Sequence, residues 1–293
     1  MLPAVFTPEF LRQLELLKLR SRRAFLGTRQ GGHASLKRGH GMEFSDYRNY
    51  EPGDDPRHID WSVYARSERL YLKLFQEEQD LSVMIILDSS ASMVTPATDG
   101  KWERARDIAL SLAYIALIQQ DRVSVSVPGY LHTPFFSGAG GIHNLSGMLQ
   151  KLSISGVVDF ERGVQQAISR IRFPGVAVFI SDFLMPFEEL ERLFNLLRAK
   201  NLDISAIQVL GPNDLNPLEG EEQVVAIDSE NGDQVQLQLT PEVREDYSYL
   251  LQEHNQHLCE FLHQSRISYL LAHSQEELGA FVVDKLSTMA LLK

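Results

Sequence analysis

The sequence predicts an α/β protein: a doubly wound, mostly parallel sheet with an antiparallel edge strand, preceded by an N-terminal helix and strand segment. Near-continuous apolar runs at 81–87, 176–180 and 204–210 are typical of strands buried on both faces of a parallel sheet. Stretches with apolar residues at helical spacing separate these runs. Two further strand-like stretches meet across the turn signal Pro128-Gly129. This turn predicts an antiparallel hairpin at the sheet edge.

The first 80 residues form a separate N-terminal segment in this interpretation. Leucines spaced along 10–19 predict a short helix, and 27–41, rich in Gly, His and basic residues, predicts a loop. The turn signal at 52–54 precedes an Asp-Pro pair, which predicts an N-cap and a short helix over 55–65. The Leu-rich and aromatic run 70–75 predicts a strand.

Residues 81–293 supply the other elements and form the second predicted domain, with a β-hairpin insertion near 223–239. The Asn-Gly pair at 231–232 predicts the turn of that hairpin. Further strands are predicted at 122–127, 130–136, 223–227, 235–239 and 267–271. Helices are predicted at 102–119, 160–171, 187–199, 241–264 and 275–291.

Composition restricts the class of protein. Cys259 is the only cysteine, which excludes an internal disulfide and a cysteine-cluster zinc site and fits a reducing compartment. No apolar run reaches the about 20 residues that cross a bilayer, and no signal-peptide pattern opens the chain. The net charge is −11, and no nucleic-acid-binding motif accompanies the basic residues. We therefore expect a soluble, cytoplasmic protein without membrane insertion or a nucleic-acid partner.

Polar side chains follow two of the predicted buried strands. Asp88 comes directly after the first, and Asp182 follows the second. Ligands of doubly wound sheets bind beyond the carboxyl ends of the strands, where strand order reverses. Alternate residues of the loop, Asp88, Ser90 and Ser92, offer one carboxylate and two hydroxyls, which suit a hard cation such as Mg²⁺. The four residues predict a divalent-cation site, although simple capping by Asp88 would explain the loop alone.

Two family resemblances accompany these residues. The Asp88-x-Ser-x-Ser92 loop, the Ser181-Asp182 junction and the element order resemble a von Willebrand factor A-type domain over about 81–293. Upstream, Gly39 to Trp61, reading GHGMEFSDYRNYEPGDDPRHIDW, resembles the hallmark of domain-of-unknown-function family 58. The first resemblance implies a metal-ion-dependent adhesion-like site, with one coordination position left for an acidic side chain of a partner protein.

The second resemblance implies a partner. Members of family 58 are commonly associated with MoxR-type AAA+ ATPases, which implies an adaptor or chaperone-like protein. Many relatives carry two membrane helices ahead of the hallmark stretch. No such helices are predicted in this sequence, so we expect a short, soluble form of the family.

One position departs from the A-domain pattern. That pattern has a metal-binding threonine in a Gly-Gly-Thr-like loop, and the matching stretch 155–159 places Val158 there. A valine side chain has no oxygen and cannot ligate a metal. The site is then a four-residue version, or Asp159 or Ser155 substitutes, or no metal is bound.

Further candidates for partner binding are Arg57, His58, Trp61 and Asp159. The stretch 51–61 is dense in Asp, Arg and His, and Trp61 is the type of residue that anchors interfaces. Helix capping and ion pairing with Arg48 and Arg57 are the simpler explanation of the same stretch.

Three functions follow from these patterns. The first is a non-catalytic protein–protein interaction module that binds through a divalent cation. The second is a metal-assisted hydrolase using Asp88, Asp159 and Asp182, for which no histidine can be placed by sequence as a general base. The third is an adaptor in which the metal site has degenerated.

Overall fold

Two separate units make up the chain: residues 24–80, and residues 1–23 together with 81–293. The N-terminal helix therefore belongs with the larger unit, whereas the predicted boundary at residue 80 separated them. The reason is that Phe10 and Leu14 are buried in the same core as the helix at 101–118. The structure is a computed structural model that describes residues 2–19, 42–77, 81–154, 159–171, 175–200, 202–217, 223–227 and 234–288.

The elements of the described residues are bounded as follows. The α-helices are α1 (Pro8–Glu15), α2 (Trp61–Ser67), α3 (Lys101–Ile118), α4 (Gly141–Gln150), α5 (Phe160–Arg170), α6 (Phe187–Ala199), α7 (Pro212–Leu215), α8 (Pro241–Gln264) and α9 (Leu278–Ala280). The strands are β1 (Met42–Asn49), β2 (Tyr71–Glu77), β3 (Ser82–Leu87), β4 (Arg122–Val127), β5 (Leu131–His132), β6 (Phe136–Ser137), β7 (Gly175–Ser181), β8 (Asp203–Leu210), β9 (Gln223–Ile227), β10 (Gln234–Gln238) and β11 (Ser268–His273).

A seven-stranded sheet lies at the centre of the larger unit. Its spatial order is β11-β8-β7-β3-β4-β5, and β6 also pairs with β4. The strands from β11 to β4 are parallel, whereas β5 and β6 run antiparallel to β4. The prediction of a mostly parallel sheet with an antiparallel edge is confirmed. β4 lies on one side of β3 in the sheet, and β7, the next parallel strand along the chain, lies on the other side of β3. Strand order therefore reverses between β3 and β7.

Helices cover both faces of this sheet. The side chains of β3 alternate between the two layers: Val83, Ile85 and Leu87 pack in the layer of α1, α3 and α4. Met84 and Ile86 pack in the layer of α5, α6 and α8. All six residues of β3 are buried, which explains why its sequence is an almost unbroken apolar run.

The 24–80 unit contains an antiparallel pair that was predicted only in part. β2 corresponds to the predicted strand at 70–75, but its partner β1 was not predicted, because β1 lacks an apolar alternation. The predicted helix over 55–65 is two elements: Asp55 caps a 3₁₀ turn at Pro56–His58, and Asp60 caps α2. Asp60 Oδ1 accepts hydrogen bonds from the backbone N–H groups of Ser62 and Val63, so a second cap starts a second helix.

Three elements of the larger unit also differ from the predictions. α4 was not predicted, because its Gly-rich start indicated only the turn at Gly138 (φ +75°). The strand expected over 130–136 is divided into β5 and β6, since the Thr133 hydroxyl accepts the hydrogen bond of the Val125 N–H group. The expected closing helix is α9, then a π-helical turn at Phe281–Lys285 and a 3₁₀ turn at Leu286–Thr288. The π-turn brings the buried side chains of Phe281 and Leu286, five residues apart, to one face.

Two predicted segments, the loop at 27–41 and the hairpin turn at 228–233, lie outside the described residues. β9 and β10, which flank that turn, form the predicted antiparallel pair. Among the described residues, no helix has both the length and the apolarity needed to cross a membrane.

The turn after β4 packs directly on a glycine of α5. A Cβ atom at Gly163 would lie 2.5 Å from Pro128 Cβ and 2.8 Å from Pro128 Cα. We predict that Gly163→Ala lowers the free energy of unfolding by about 1–3 kcal/mol, because the overpacked turn must move. Gly147→Ala is the matched control: Gly147 lies inside α4 with nothing within 4 Å of its Cβ position. There alanine raises stability by about 0.5–1 kcal/mol through helix propensity. Chemical denaturation of both variants measures the difference, and equal gains in stability would contradict the packing argument.

Candidate functional site

Asp88 lies at the carboxyl end of β3, beside the end of β7. The parallel register pairs Leu87 with Ile180, and the Asp88 N–H group continues the ladder by donating to the Ile180 carbonyl at 2.9 Å. The Asp88 side chain is fully buried. Its Oδ1 accepts from the Ser90 N–H group at 2.7 Å, and its Oδ2 accepts from the Ser181 hydroxyl at 2.5 Å. Both carboxylate oxygens therefore have protein donors.

The serines after Asp88 hold the loop in one conformation. Ser89 is buried, and its hydroxyl donates to the Pro128 carbonyl at 2.7 Å, which joins the loop to the turn after β4. Ser90 and Ser92 are half-buried, and their hydroxyl oxygens lie 3.0 Å apart. The predicted pair of hydroxyls is thus brought together at the carboxyl edge of the sheet.

A buried lysine lies beside Asp182. Lys101 is the first residue of α3, and its side chain is only 1% exposed. Its Nζ lies 3.0 Å from Asp182 Oδ2. The same Nζ lies 3.0 Å from Asp214 Oδ1 and 2.9 Å from Asp214 Oδ2, and Asp214 belongs to α7, directly after β8. Lys101 therefore joins the end of β7 to the end of β8.

The turn that precedes α3 makes a second connection to α7. Buried Asp99 accepts hydrogen bonds from the backbone and side-chain nitrogens of Asn213, at 3.1 and 2.6 Å. A Cβ atom at Gly211 would collide with the Asp99 carboxylate. Only glycine therefore allows the backbone after β8 to approach Asp99 this closely. Asp214 Oδ2 accepts from the Gly211 N–H group at 2.8 Å, which fixes α7 in place.

α8 supports the site through a polar layer. Gln208 of β8 donates one hydrogen bond to the Asp182 carbonyl at 2.8 Å and one to Asn255 Oδ1 at 3.0 Å. The Tyr247 hydroxyl donates to the Asp214 carbonyl at 2.8 Å. The backbone that carries both Asp182 and Asp214 is therefore held from α8.

Burial and charge shift the ionisation of this cluster. Burial, then the nearby charge of Asp182, raises the pKa of Asp88 to about 6. Burial alone would lower the pKa of Lys101, but the charges of Asp182 and Asp214 outweigh it and raise that pKa. Burial raises the pKa of Asp214 despite its hydrogen bond from Gly211 and its pairing with Lys101. The Lys101 ammonium is thus held in its charged form beside the carboxyl groups of Asp182 and Asp214, in the same cluster as Asp88.

The arrangement does not fit the divalent cation that the sequence pattern suggested. Asp88 has both oxygens occupied by protein donors, and Asp182 Oδ2 faces the Lys101 ammonium rather than an open coordination position. The other two predicted ligands, the hydroxyls of Ser90 and Ser92, lie within hydrogen-bond distance of each other. In the described residues, no group of three or more His, Cys, Asp or Glu side chains is arranged to hold a metal.

The other predicted site residues lie in different settings. Asp159 is exposed and caps α5, accepting from the Arg162 N–H group at 3.0 Å. Arg57 is exposed and pairs with Asp55 at 2.8 Å. Trp61 is 60% exposed and packs edge-on against Tyr64. Ser155, Val158 and the His58 side chain lie outside the described residues.

Sequence reasoning missed Lys101, Asp99 and Asp214. The signal for Lys101 was its place in the first turn of a helix, where the helix dipole disfavours a positive charge. The sequence does not show that this lysine is buried, and burial is what requires the nearby carboxylates.

Comparisons with known proteins give a family and distant structural neighbours. The family model described as protein of unknown function DUF58 matches residues 46–257. An uncharacterised protein of Mycobacterium bovis is 28% identical over 250 residues, covering 82% of this chain and 77% of its own length. Uncharacterised proteins of two Mycobacterium tuberculosis strains match equally.

Two solved structures from Bacteroides are similar in part. The conserved hypothetical protein BatB of Bacteroides thetaiotaomicron has a TM-score of 0.43 and 15% identity, covering 72% of this chain and 98% of that one. An aerotolerance-related membrane protein of Bacteroides fragilis has a TM-score of 0.41 and 16% identity, covering 70% and 97%.

Removal of the buried ammonium tests how the site is held. We predict that Lys101→Met lowers the free energy of unfolding by about 3–5 kcal/mol, because two buried carboxylates lose their counter-charge. Adding Asp182→Asn and Asp214→Asn to this variant restores a large part of the loss. Lys200→Met, at an exposed lysine after α6, is the control and changes stability by less than about 0.5 kcal/mol. Urea unfolding measures all three variants, and a Lys101→Met loss as small as that of the control would contradict the prediction.

Proposed function

Since the chain belongs to the DUF58 family, we propose that it is a non-catalytic protein–protein interaction module, an adaptor or chaperone-like partner of a MoxR-type AAA+ ATPase. We further propose that the larger unit is of the von Willebrand factor A type. The Asp88–Ser92 loop and its place beside the strand-order reversal support this assignment.

One observation carries the proposal of a binding role. The hydroxyls of Ser90 and Ser92 lie 3.0 Å apart at the carboxyl edge of the sheet, on a loop fixed by Asp88 and Ser89. This edge is where doubly wound sheets bind their ligands. A loop that is already fixed by internal hydrogen bonds loses little conformational entropy on binding, so more of the energy of its polar contacts contributes to affinity.

The buried carboxylates support a non-catalytic role. Asp88 and Asp182 are hydrogen-bonded or ion-paired within the site, so their protein contacts serve to hold the loops. A hydrolase would need one of them to accept a proton from water or to ligate a metal. These contacts support a structural role for the two carboxylates, and therefore the binding proposal over the hydrolase.

The partner is proposed from the family resemblance. The hallmark stretch 39–61 resembles that of relatives commonly associated with MoxR-type ATPases, and 42–61 forms β1, the 3₁₀ turn capped by Asp55 and the start of α2. The proposed contact does not depend on a divalent cation, because Lys101 faces Asp182, which was expected to ligate the metal.

The proposal predicts saturable binding between the purified full chain and a purified MoxR-type ATPase from the same organism. We expect the double variant Ser90→Ala/Ser92→Ala to weaken that binding about tenfold or more, since each lost hydrogen bond contributes about 0.5–1.5 kcal/mol. Lys200→Glu is the control: it is an exposed residue before the amino end of β8, at the opposite edge of the sheet. Biolayer interferometry measures the affinities, and melting temperatures confirm that each variant is folded.

Two outcomes would contradict the proposal. One is a failure of the binding test, either because the unchanged chain does not bind the ATPase or because the double alanine variant binds it with full affinity. The other is hydrolysis of a phosphoester panel by the unchanged chain that Asp88→Ala abolishes, which would favour the enzyme.

A further inference from the structure

The strand-end site contains more negative than positive groups: Asp88, Asp182 and Lys101 are buried, and Asp214 is half-buried. Asp88 is fully buried, Asp182 is 2% exposed at its side chain and Asp214 is 12% exposed. Carboxylates in such a position need a cation or full hydrogen bonding to remain ionised. Asp88 is satisfied by hydrogen bonds, whereas Asp182 and Asp214 share the Lys101 ammonium.

The geometry of Lys101 conflicts with a divalent cation on the same oxygen. A Mg²⁺ ion ligated by Asp182 Oδ2 would lie about 2.1 Å from that oxygen. The ammonium lies 3.0 Å from the same atom, so the two cations would be no more than about 5 Å apart in a water-poor setting. Lys101 also donates to Asp214, which holds it in place from the other side. The ammonium and an ion on this oxygen would therefore repel each other and compete for the same carboxylate charge.

We infer that Lys101 is the resident cation of the strand-end site, so that the Asp88–Ser92 loop keeps its binding conformation without a divalent metal ion. The inference rests on the proposed function only in taking the Asp88–Ser92 loop as the binding site. Its test measures metal binding and stability rather than partner binding, so either conclusion can fail while the other survives.

The effect of the ion on the unchanged protein is the first measurement. Thermal unfolding of the full chain is followed in EDTA and in about 5 mM MgCl₂ or MnCl₂, with calorimetric titration of each ion. We expect equal melting temperatures in all three solutions and no saturable heat. A rise of the melting temperature with Mg²⁺ that Asp88→Asn abolishes would overturn the inference, because the unchanged site would then bind metal through its carboxylates.

Removal of the ammonium is the second measurement. Lys101→Met should make the site responsive to metal: Mg²⁺ or Mn²⁺ raises its melting temperature by about 2–4 °C or more above the value in EDTA. Adding Asp182→Asn to Lys101→Met should abolish that rise. Lys101→Gln, which keeps a hydrogen-bond donor, provides a folded alternative if methionine prevents folding. Absence of a metal response in both single variants would overturn the inference, since no cation would then replace the ammonium.

Lys101→Arg is the matched control, since it keeps the positive charge at this position. We expect it to be insensitive to metal, like the unchanged chain. A metal-dependent rise in the arginine variant as large as that of Lys101→Met would show that charge is not what excludes the ion, and would overturn the inference.

Discussion

The ammonium of Lys101, shared between Asp182 and Asp214, joins the start of α3 to the ends of β7 and β8. A buried charge cluster therefore adds to apolar packing in positioning the loops at this edge of the sheet. The arrangement has a cost, because each ion had to leave water, and it is sustained only while all partners are present. Asp88 joins the same assembly without an ion pair, through the hydroxyl of Ser181 on the neighbouring strand.

The topology explains why these groups meet at all. The carboxyl ends of neighbouring parallel strands lie at one edge of a sheet, and the connections from β3 and β7 leave toward different sides. The gap between these connections is where Asp88, Asp182 and the α3 N-terminus converge. Gly211 allows α7 to pack against Asp99, because any larger side chain at this position would push them apart.

The apolar runs of β3, β7 and β8 predicted the parallel sheet, and the residues that follow β3 and β7 predicted the position of the site. Neither pattern could predict that a lysine would pair with the carboxylates of this site. Lys101 is 81 residues from Asp182 and 113 from Asp214 along the chain, so no local spacing connects them. β1 was missed for a similar reason: its strand character depends on pairing with β2, and its own sequence is polar.

The alternating side chains of β3 have a consequence for how the larger unit folds. Val83, Ile85 and Leu87 pack in one helical layer while Met84 and Ile86 pack in the other, so the central strand contributes side chains to both cores. A shift of β3 by one residue would exchange the two sets of side chains and disrupt both cores together. Opening of either layer therefore exposes part of the other, so we expect the sheet and both helical layers to form one cooperative folding unit.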